Sequence, residues 1–189
     1  MNKENEIYTL IERIGNLLKA ESRAKGAELG LQAVQQDTLY YLSICNRYSD
    51  HLLALTKFLG LTKGTVAQTV KIVEKKGLVT KEKDAVDKRM SHLILTEEGR
   101  QHIENSAPPD NFISTIGSLS EKQKGEFLSQ LRTCLMTYQN FNQVNGFGVC
   151  QSCTYNMTTE DGFQCGLTKE KLSESDVQKI CVEFEPSLA

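Results

Sequence analysis

The sequence predicts a mainly α fold with one small β-hairpin and a cysteine-rich tail, and three stretches carry that expectation. Residues 49–99 hold two short apolar-faced helical segments, a Gly turn and a charged hairpin. Longer amphipathic segments flank them, near residues 3–26 and 120–138. Four of the six cysteines then fall after residue 145. One domain of normal size plus a small appendage fits 189 residues, with boundaries at 1–143 and 147–189.

In the first short helix, Leu52, Leu53, Leu55, Phe58 and Leu59 keep a helical apolar spacing that stops at Gly60. Thr62 suits the N-cap of the second, where Val66, Val70 and Val73 recur at i, i+4 and i+7. Lys75 and Lys76 before Gly77 put cations at the negative end of the helix dipole, and Gly77 ends the helix. Leu78–Thr80 and Leu93–Leu95 are β-prone and flank a charged tip, residues 81–91. These elements, at about 50–77 and 78–95, make a helix-turn-helix followed by a wing.

The chemistry such a unit offers is binding to double-stranded DNA. A helix fits the major groove, and its first turns present side chains to base edges. Those turns hold Thr62, Lys63, Thr65, Gln68 and Thr69, a cation with short polar groups. The wing adds Lys83, Lys88 and Arg89, whose charge suits a narrow, electronegative minor groove. From Asp50 to Arg100, ten Lys and Arg stand against seven Asp and Glu, inside a chain of net charge −2. One local basic face on a slightly acidic chain argues against indiscriminate coating of nucleic acid.

The run from Leu61 to Gly99 resembles the DNA-binding core of the MarR family of transcriptional regulators. Val73-Glu74-Lys75-Lys76-Gly77-Leu78-Val79 follows the family's L-E-x-x-G-L-V segment. Asp87-Lys88-Arg89 follows its D-x-R wing, and Leu95-Thr96-Glu97-Glu98-Gly99 its L-T-x-x-G. The likeness is collinear over about fifty residues and extends in weaker form across 1–143. It implies a winged helix-turn-helix in a helical homodimer that binds a pseudo-palindromic operator, with one recognition helix per major groove. It further implies that Asp87 orients a wing arginine, and that a small aromatic effector binds between the second helix and the dimer helices. One departure is Gly64, where serine or arginine is commoner. Glycine there costs about 1 kcal/mol of helix propensity and offers no side chain to DNA.

Ile7, Leu10, Ile11, Ile14, Leu17 and Leu18 mark the first amphipathic helix, which continues more weakly through Ala20 to Leu29. Periodicity alone allows this face to pack within its own chain; the resemblance assigns it to a dimer. Residues 32–45 form a second helix, with Val34, Leu39, Leu42 and Ile44 as core positions. Tyr40 and Tyr41 read as packing residues with wet hydroxyls, or as effector contacts. Thr96 caps a helix through Ile103, and Pro108-Pro109 ends it in a short loop. Ser120 to Gln123 is a capping-box start. Phe127, Leu131, Cys134, Leu135 and Tyr138 follow on one face of the last long helix. Cys45 and Cys134 lie on apolar stripes and read as buried thiols.

No apolar run is long enough to span a membrane, and the polar start MNKENEIYTL lacks the apolar core of a signal peptide. A cytoplasmic location is expected, where six cysteines are not expected to form structural disulfides.

The composition changes at about Asn145. Cys150, Cys153, Cys165 and Cys181 follow in the spacing C-x2-C-x11-C-x15-C. A C-x-x-C pair aims two thiolates at one ion or cluster. So short a segment, with few large apolar residues, needs a staple, and in a reducing compartment the staple is a metal. Structural zinc sites usually show two close pairs. A single pair followed by two isolated cysteines resembles high-potential iron–sulfur proteins and small cluster-binding subunits of radical enzymes. A [4Fe–4S] cluster is therefore the favoured occupant and zinc the alternative. Disulfides or free thiols also stay open. With three Lys against seven Asp and Glu, the tail is not itself a DNA-binding finger.

Two functions of different class compete. The first is a dimeric transcriptional regulator, a repressor whose operator binding responds to the redox or metal state of the tail. The second is an electron-transfer or metal-carrying protein that uses the winged helix only for protein contacts. An enzyme is not expected: no Ser-His-Asp constellation, phosphate-cradling Gly loop or paired carboxylates stand out. Glu97 and Glu98 are better placed as first-turn charges favourable to a helix dipole.

Overall fold

The apolar rows of the middle of the chain close on one another. The structure, a computed structural model, describes residues 2–28, 30–85, 87–143 and 146–187. Leu29 and Asn145, where a helix continuation and a composition change are expected to fall, lie outside the described residues. Helices α1 (Lys3–Glu28), α2 (Ala33–Ile44), α3 (Leu52–Leu59) and α4 (Lys63–Lys75) come first. A hairpin of β1 (Val79–Lys83) and β2 (Ser91–Leu95) follows, then α5 (Glu97–Glu104), α6 (Asp110–Gly117) and α7 (Glu121–Phe141). Val66, Val70 and Val73 are buried on the face of α4 that packs against α2 and α3, beside fully buried Leu39 and Leu55. The fold is mainly helical with the hairpin, as expected, and two further small antiparallel sheets, which the sequence reading did not anticipate, lie after residue 147.

Local chemistry sets the element ends. Thr62 Oγ1 accepts the Thr65 N–H at 3.3 Å to start α4, and Thr96 Oγ1 accepts the Gly99 N–H at 3.1 Å to start α5. Ser120 and Gln123 form the reciprocal box that opens α7. Gly60 and Gly77 close α3 and α4 with φ of 63° and 75°, a region where a Cβ is costly. Gly99 has a different reason to be glycine. A Cβ there would stand 2.2 Å from the Leu78 carbonyl oxygen, because α5 starts against the segment that follows α4. In the hairpin, Val79 pairs with Leu95 and Lys83 with Ser91. His51 bridges His92, adding a rung from the start of α3.

Three expectations are corrected. The loop expected after Pro108-Pro109 is helix α6: Pro109 sits at the N-cap, where no N–H is needed, and Asp110 supplies first-turn negative charge. Tyr41 has no wet hydroxyl; it is fully buried and donates to the Ser49 carbonyl at 2.6 Å. Cys134 is exposed rather than buried, because among the described residues nothing covers the stripe of α7 on which it lies.

The tail is a small β-rich unit. β3 (Gly148–Val149) runs antiparallel to β7 (Ile180–Cys181). Between them come β4 (Asn156–Thr159), β5 (Gly162–Cys165), β6 (Lys171–Leu172) and the one-turn α8 (Glu174–Val177). The unit is docked on residues 45–49, the link between α2 and α3. The Asn46 N–H donates to the Ile180 carbonyl at 2.9 Å, and the Val182 N–H donates to Ser49 Oγ at 2.8 Å. Val182 joins the main core, and Phe147 packs edge-on against Tyr41 and Phe58 at 6.0 and 5.3 Å.

Candidate functional site

The first turns of α4 leave Lys63, Thr65 and Gln68 exposed. Thr62 is exposed too, but its hydroxyl caps the helix and lies 2.9 Å from Thr65 Oγ1. Thr69 turns inward, against the expectation that it reads DNA. It lies three residues after Val66 and four before Val73, on the buried row. It is 4% exposed, and its hydroxyl donates to the Thr65 carbonyl at 2.9 Å.

Lys63 and Arg89 line one groove of about 500 Å³ between α4 and the wing, together with Lys71, Lys81 and Asp87. Lys71 was legible, since positions 63, 67 and 71 step along one face at i+4. Lys81, which pairs with Glu74, gave no such sign because its direction depends on the hairpin register. Asp87 holds Arg89 through two contacts, Nε to Oδ1 and Nη2 to Oδ2, each 3.0 Å. The guanidinium keeps the Asp87 carboxyl below its usual range. So exposed a pair adds little stability; its effect is to fix where the arginine points. Lys88 is exposed, with Nζ donating to the Asp84 carbonyl at 3.2 Å.

The wing is tied back to the start of α3. His92 Nε2 lies 3.0 Å from Asp84, and its Nδ1 lies 2.5 Å from Asp50. Hydrogen bonding to Asp84, then to Asp50, lifts His92 above its ordinary value despite partial burial. One imidazole thus couples the wing to the segment that leads into the helix-turn-helix.

Cys150 opens a 3-10 turn, and Cys153 donates its N–H back to the Cys150 carbonyl at 3.0 Å. Cys165 ends β5, and Cys181 ends β7. All four line one enclosed cavity of about 20 Å³, with Asn46, Tyr155, Asn156 and Leu172 among its walls. Burial, followed by proximity to Cys181, Cys153 and Cys165, pushes the Cys150 thiol up to about 12. Among the described residues, no three His, Cys, Asp or Glu side chains gather closely enough to hold a single ion. Cys45 is a buried core thiol apart from this group, also pushed up to about 12, mainly by burial.

Residues 42–91 match the MarR family. The matched segment runs from the end of α2 through α3 and α4 into the hairpin. The transcriptional regulator HosA of Escherichia coli O127:H6 is 32% identical over 78 residues, which cover 40% of this chain and 58% of HosA. The chain thus matches little more than half the length of that relative. A Staphylococcus aureus MepR–DNA complex superposes with a TM-score of 0.56 at 23% identity, covering 69% of this chain and 96% of MepR. Rhodococcus jostii CouR bound to p-coumaroyl-CoA gives 0.57 at 17% identity, covering 69% of this chain and 92% of CouR. At these identities the likeness shows the winged-helix fold.

The MarR-type fold also frames a cleft of about 670 Å³ between α1, α2 and the α5–α6 link. Arg23, Asp37, Tyr40 and Phe112 are among its lining residues. Burial raises the Asp37 carboxyl against the opposing pull of Lys19. Tyr40 lines this cleft; Tyr41 points the other way, into the core. Among the described residues, no helix is long and apolar enough to cross a membrane.

Proposed function

We propose that the protein is a dimeric transcriptional regulator that binds a pseudo-palindromic operator as a repressor in the cytoplasm. The observation that carries this is the shared groove in which Lys63 of the recognition helix and Arg89 of the wing face the same space. Lys63, Thr65 and Gln68 would contact the major groove while Arg89 enters the adjacent minor groove. Occupying an operator is enough to exclude a polymerase, which is why a repressor is favoured. Homology to HosA and the fold shared with DNA-bound MepR support the same reading.

The partner in the dimer is a second copy. Ile7, Leu10, Ile11, Ile14 and Leu17 of α1 and Phe127, Leu131 and Leu135 of α7 are all more than 40% exposed. Helices with such stripes draw their stability from tertiary packing. A twofold pair of these helices also supplies the two recognition helices that an operator dyad requires. The cleft beside Tyr40 takes a small aromatic effector, as CouR takes p-coumaroyl-CoA. Operator binding responds to the state of the four-cysteine tail, which is docked on the link into α3.

Selection from a random duplex library, followed by anisotropy titration across a salt series, tests the reading. Enrichment of a dyad, with affinity falling steeply as salt rises, is expected. No enrichment, or a flat salt response, overturns it.

A further inference from the structure

His92 stands between two carboxylates, and a neutral ring has too few protons to serve both. Its Nδ1 lies 2.5 Å from Asp50 Oδ1, and its Nε2 lies 3.0 Å from Asp84 Oδ2. An ionised carboxylate only accepts hydrogen bonds, whereas a neutral imidazole has one N–H and one bare lone pair. Both contacts therefore require a second proton. The imidazole is the group that holds it, since its ordinary value of about 6.5 lies well above a carboxyl's. The side chains of His92, Asp50 and Asp84 are 22%, 17% and 23% exposed, so salt screens them only in part.

The link before α3 brings Asp50 and His51 to the ring, and the wing brings Asp84 and the cross-strand partner Glu82. His51 is neutral in this arrangement, because its Nδ1 accepts the Ala54 N–H at 3.3 Å. Burial, then the charge of His92, holds His51 below its ordinary value; Glu183 of the tail pulls the other way and Lys57 of α3 adds to the lowering. His102, the third histidine, contacts Gln36 and is lowered by burial. Asp84 also anchors the wing tip. Its Oδ1 accepts the Asp87 N–H at 2.6 Å, and its carbonyl accepts from Lys88 Nζ at 3.2 Å. Asp87 Oδ1 in turn accepts the Arg89 N–H and Nε–H, each at 3.0 Å. One continuous series of hydrogen bonds thus runs from Asp50, beside α3, to the wing guanidinium.

We propose that His92 is the positioning residue through which a proton controls the wing: doubly protonated, it holds Asp84 to Asp50 and so keeps Arg89 in its DNA-reading place. Loss of that proton leaves one carboxylate facing a bare ring nitrogen, lone pair against lone pair. That contact opens, and Arg89 no longer keeps a fixed position beside Lys63 in their shared groove. Operator binding then weakens as pH rises, in the same direction as the tether's contribution to stability. Asp84 allows the tether to be separated from its proton. Its Oδ1 is committed to the Asp87 N–H, so Asp84→Asn would keep that acceptor and turn its amide toward His92 Nε2. A neutral ring then serves both ends, donating from Nδ1 and accepting at Nε2. Proton control of affinity rests on the DNA-binding function proposed above; proton control of the wing does not.

The test has two arms, both at constant ionic strength because salt also governs DNA affinity. In the full chain without DNA, NMR follows the His92 ring and the backbone amides of Asp87 and Arg89 from about pH 5 to pH 9. The ring should titrate above about 6.5, and both amides should shift with the same midpoint. A midpoint at or below about 6.5, or amides that do not follow it, overturns proton control of the wing. In the second arm, the duplex enriched in the library selection is titrated by anisotropy. Its Kd should rise about fivefold from about pH 6 to pH 8.5, less than the roughly tenfold expected for loss of Arg89 itself. His92→Gln should give a flat profile, and Asp84→Asn should keep the tighter, acid-side affinity throughout. Circular dichroism at each pH keeps unfolding out of the comparison. A flat wild-type profile, or an Asp84→Asn profile with the wild-type slope, overturns proton control of affinity. A chain that binds no duplex even at about pH 6 overturns the DNA-binding function, and the amide titration then decides the wing by itself.

Discussion

The winged-helix core and the long terminal helices are both amphipathic, yet they end in opposite environments. α4 has 13 residues and buries four of them, Val66, Thr69, Val70 and Val73. α7 has 21 residues and buries none, and α1 with 26 buries only Gly26. Propensity does not separate them, for all three carry helix-period apolar rows. What separates them is whether the same chain supplies an opposing surface. For α4, α2 and α3 are at hand through short links. Among the described residues nothing comparable covers the apolar row of α7, and the proposed second copy would supply it.

Breaking the covered side should have the largest effect. Gly99→Val forces a Cβ onto the Leu78 carbonyl and should cost about 3 kcal/mol or more, read as a large fall in Tm. Retention of wild-type Tm would mean that the approach of α5 to Leu78 is not fixed. Next comes the uncovered side. Leu131→Glu with Leu135→Glu should turn a dimer into a monomer in sedimentation while helix content is kept, at about 2 kcal/mol or more of association energy per site. If the native chain already sediments as a monomer, the contrast has another cause.

Smaller effects sharpen the contrast at the reading face. Arg89→Ala should weaken operator binding roughly tenfold across sequences and lower the salt slope by about 1, with Tm little changed. Thr69→Val should leave DNA affinity unchanged, since its hydroxyl is occupied within the helix; a marked loss would return Thr69 to the reading set. The smallest effect concerns pH. His92 is raised in the folded chain, so the tether to Asp84 and Asp50 contributes fully below the unfolded value of about 6.5. That contribution fades as pH rises through the elevated folded value. The Tm difference between wild type and His92→Gln should therefore shrink from about pH 6 to pH 8.5. A difference that grows with pH contradicts the tether.

Wherever a residue's fate depended on neighbours within four positions, it was legible in the sequence. The caps at Thr62, Thr96 and Ser120, the ends at Gly60 and Gly77, and the valine row of α4 all fall in that class. Thr69 departs from the expected reading set, and its spacing from Val66 and Val73 already places it on the buried row. α6 was missed because a Pro pair reads as a break, although the second Pro can equally open a helix.

By itself the sequence determined the mainly helical class, the order of the helices and wing, and the gathering of cysteines into one tail. Backbone hydrogen bonding and capping act over a few residues, so their pattern is written in adjacent letters. The tertiary structure alone decided that Asn46 meets Ile180, that Ser49 meets Val182 across 133 positions, and that His92 joins the wing to Asp50. Such pairs follow from how separate elements pack, and no local spacing encodes them.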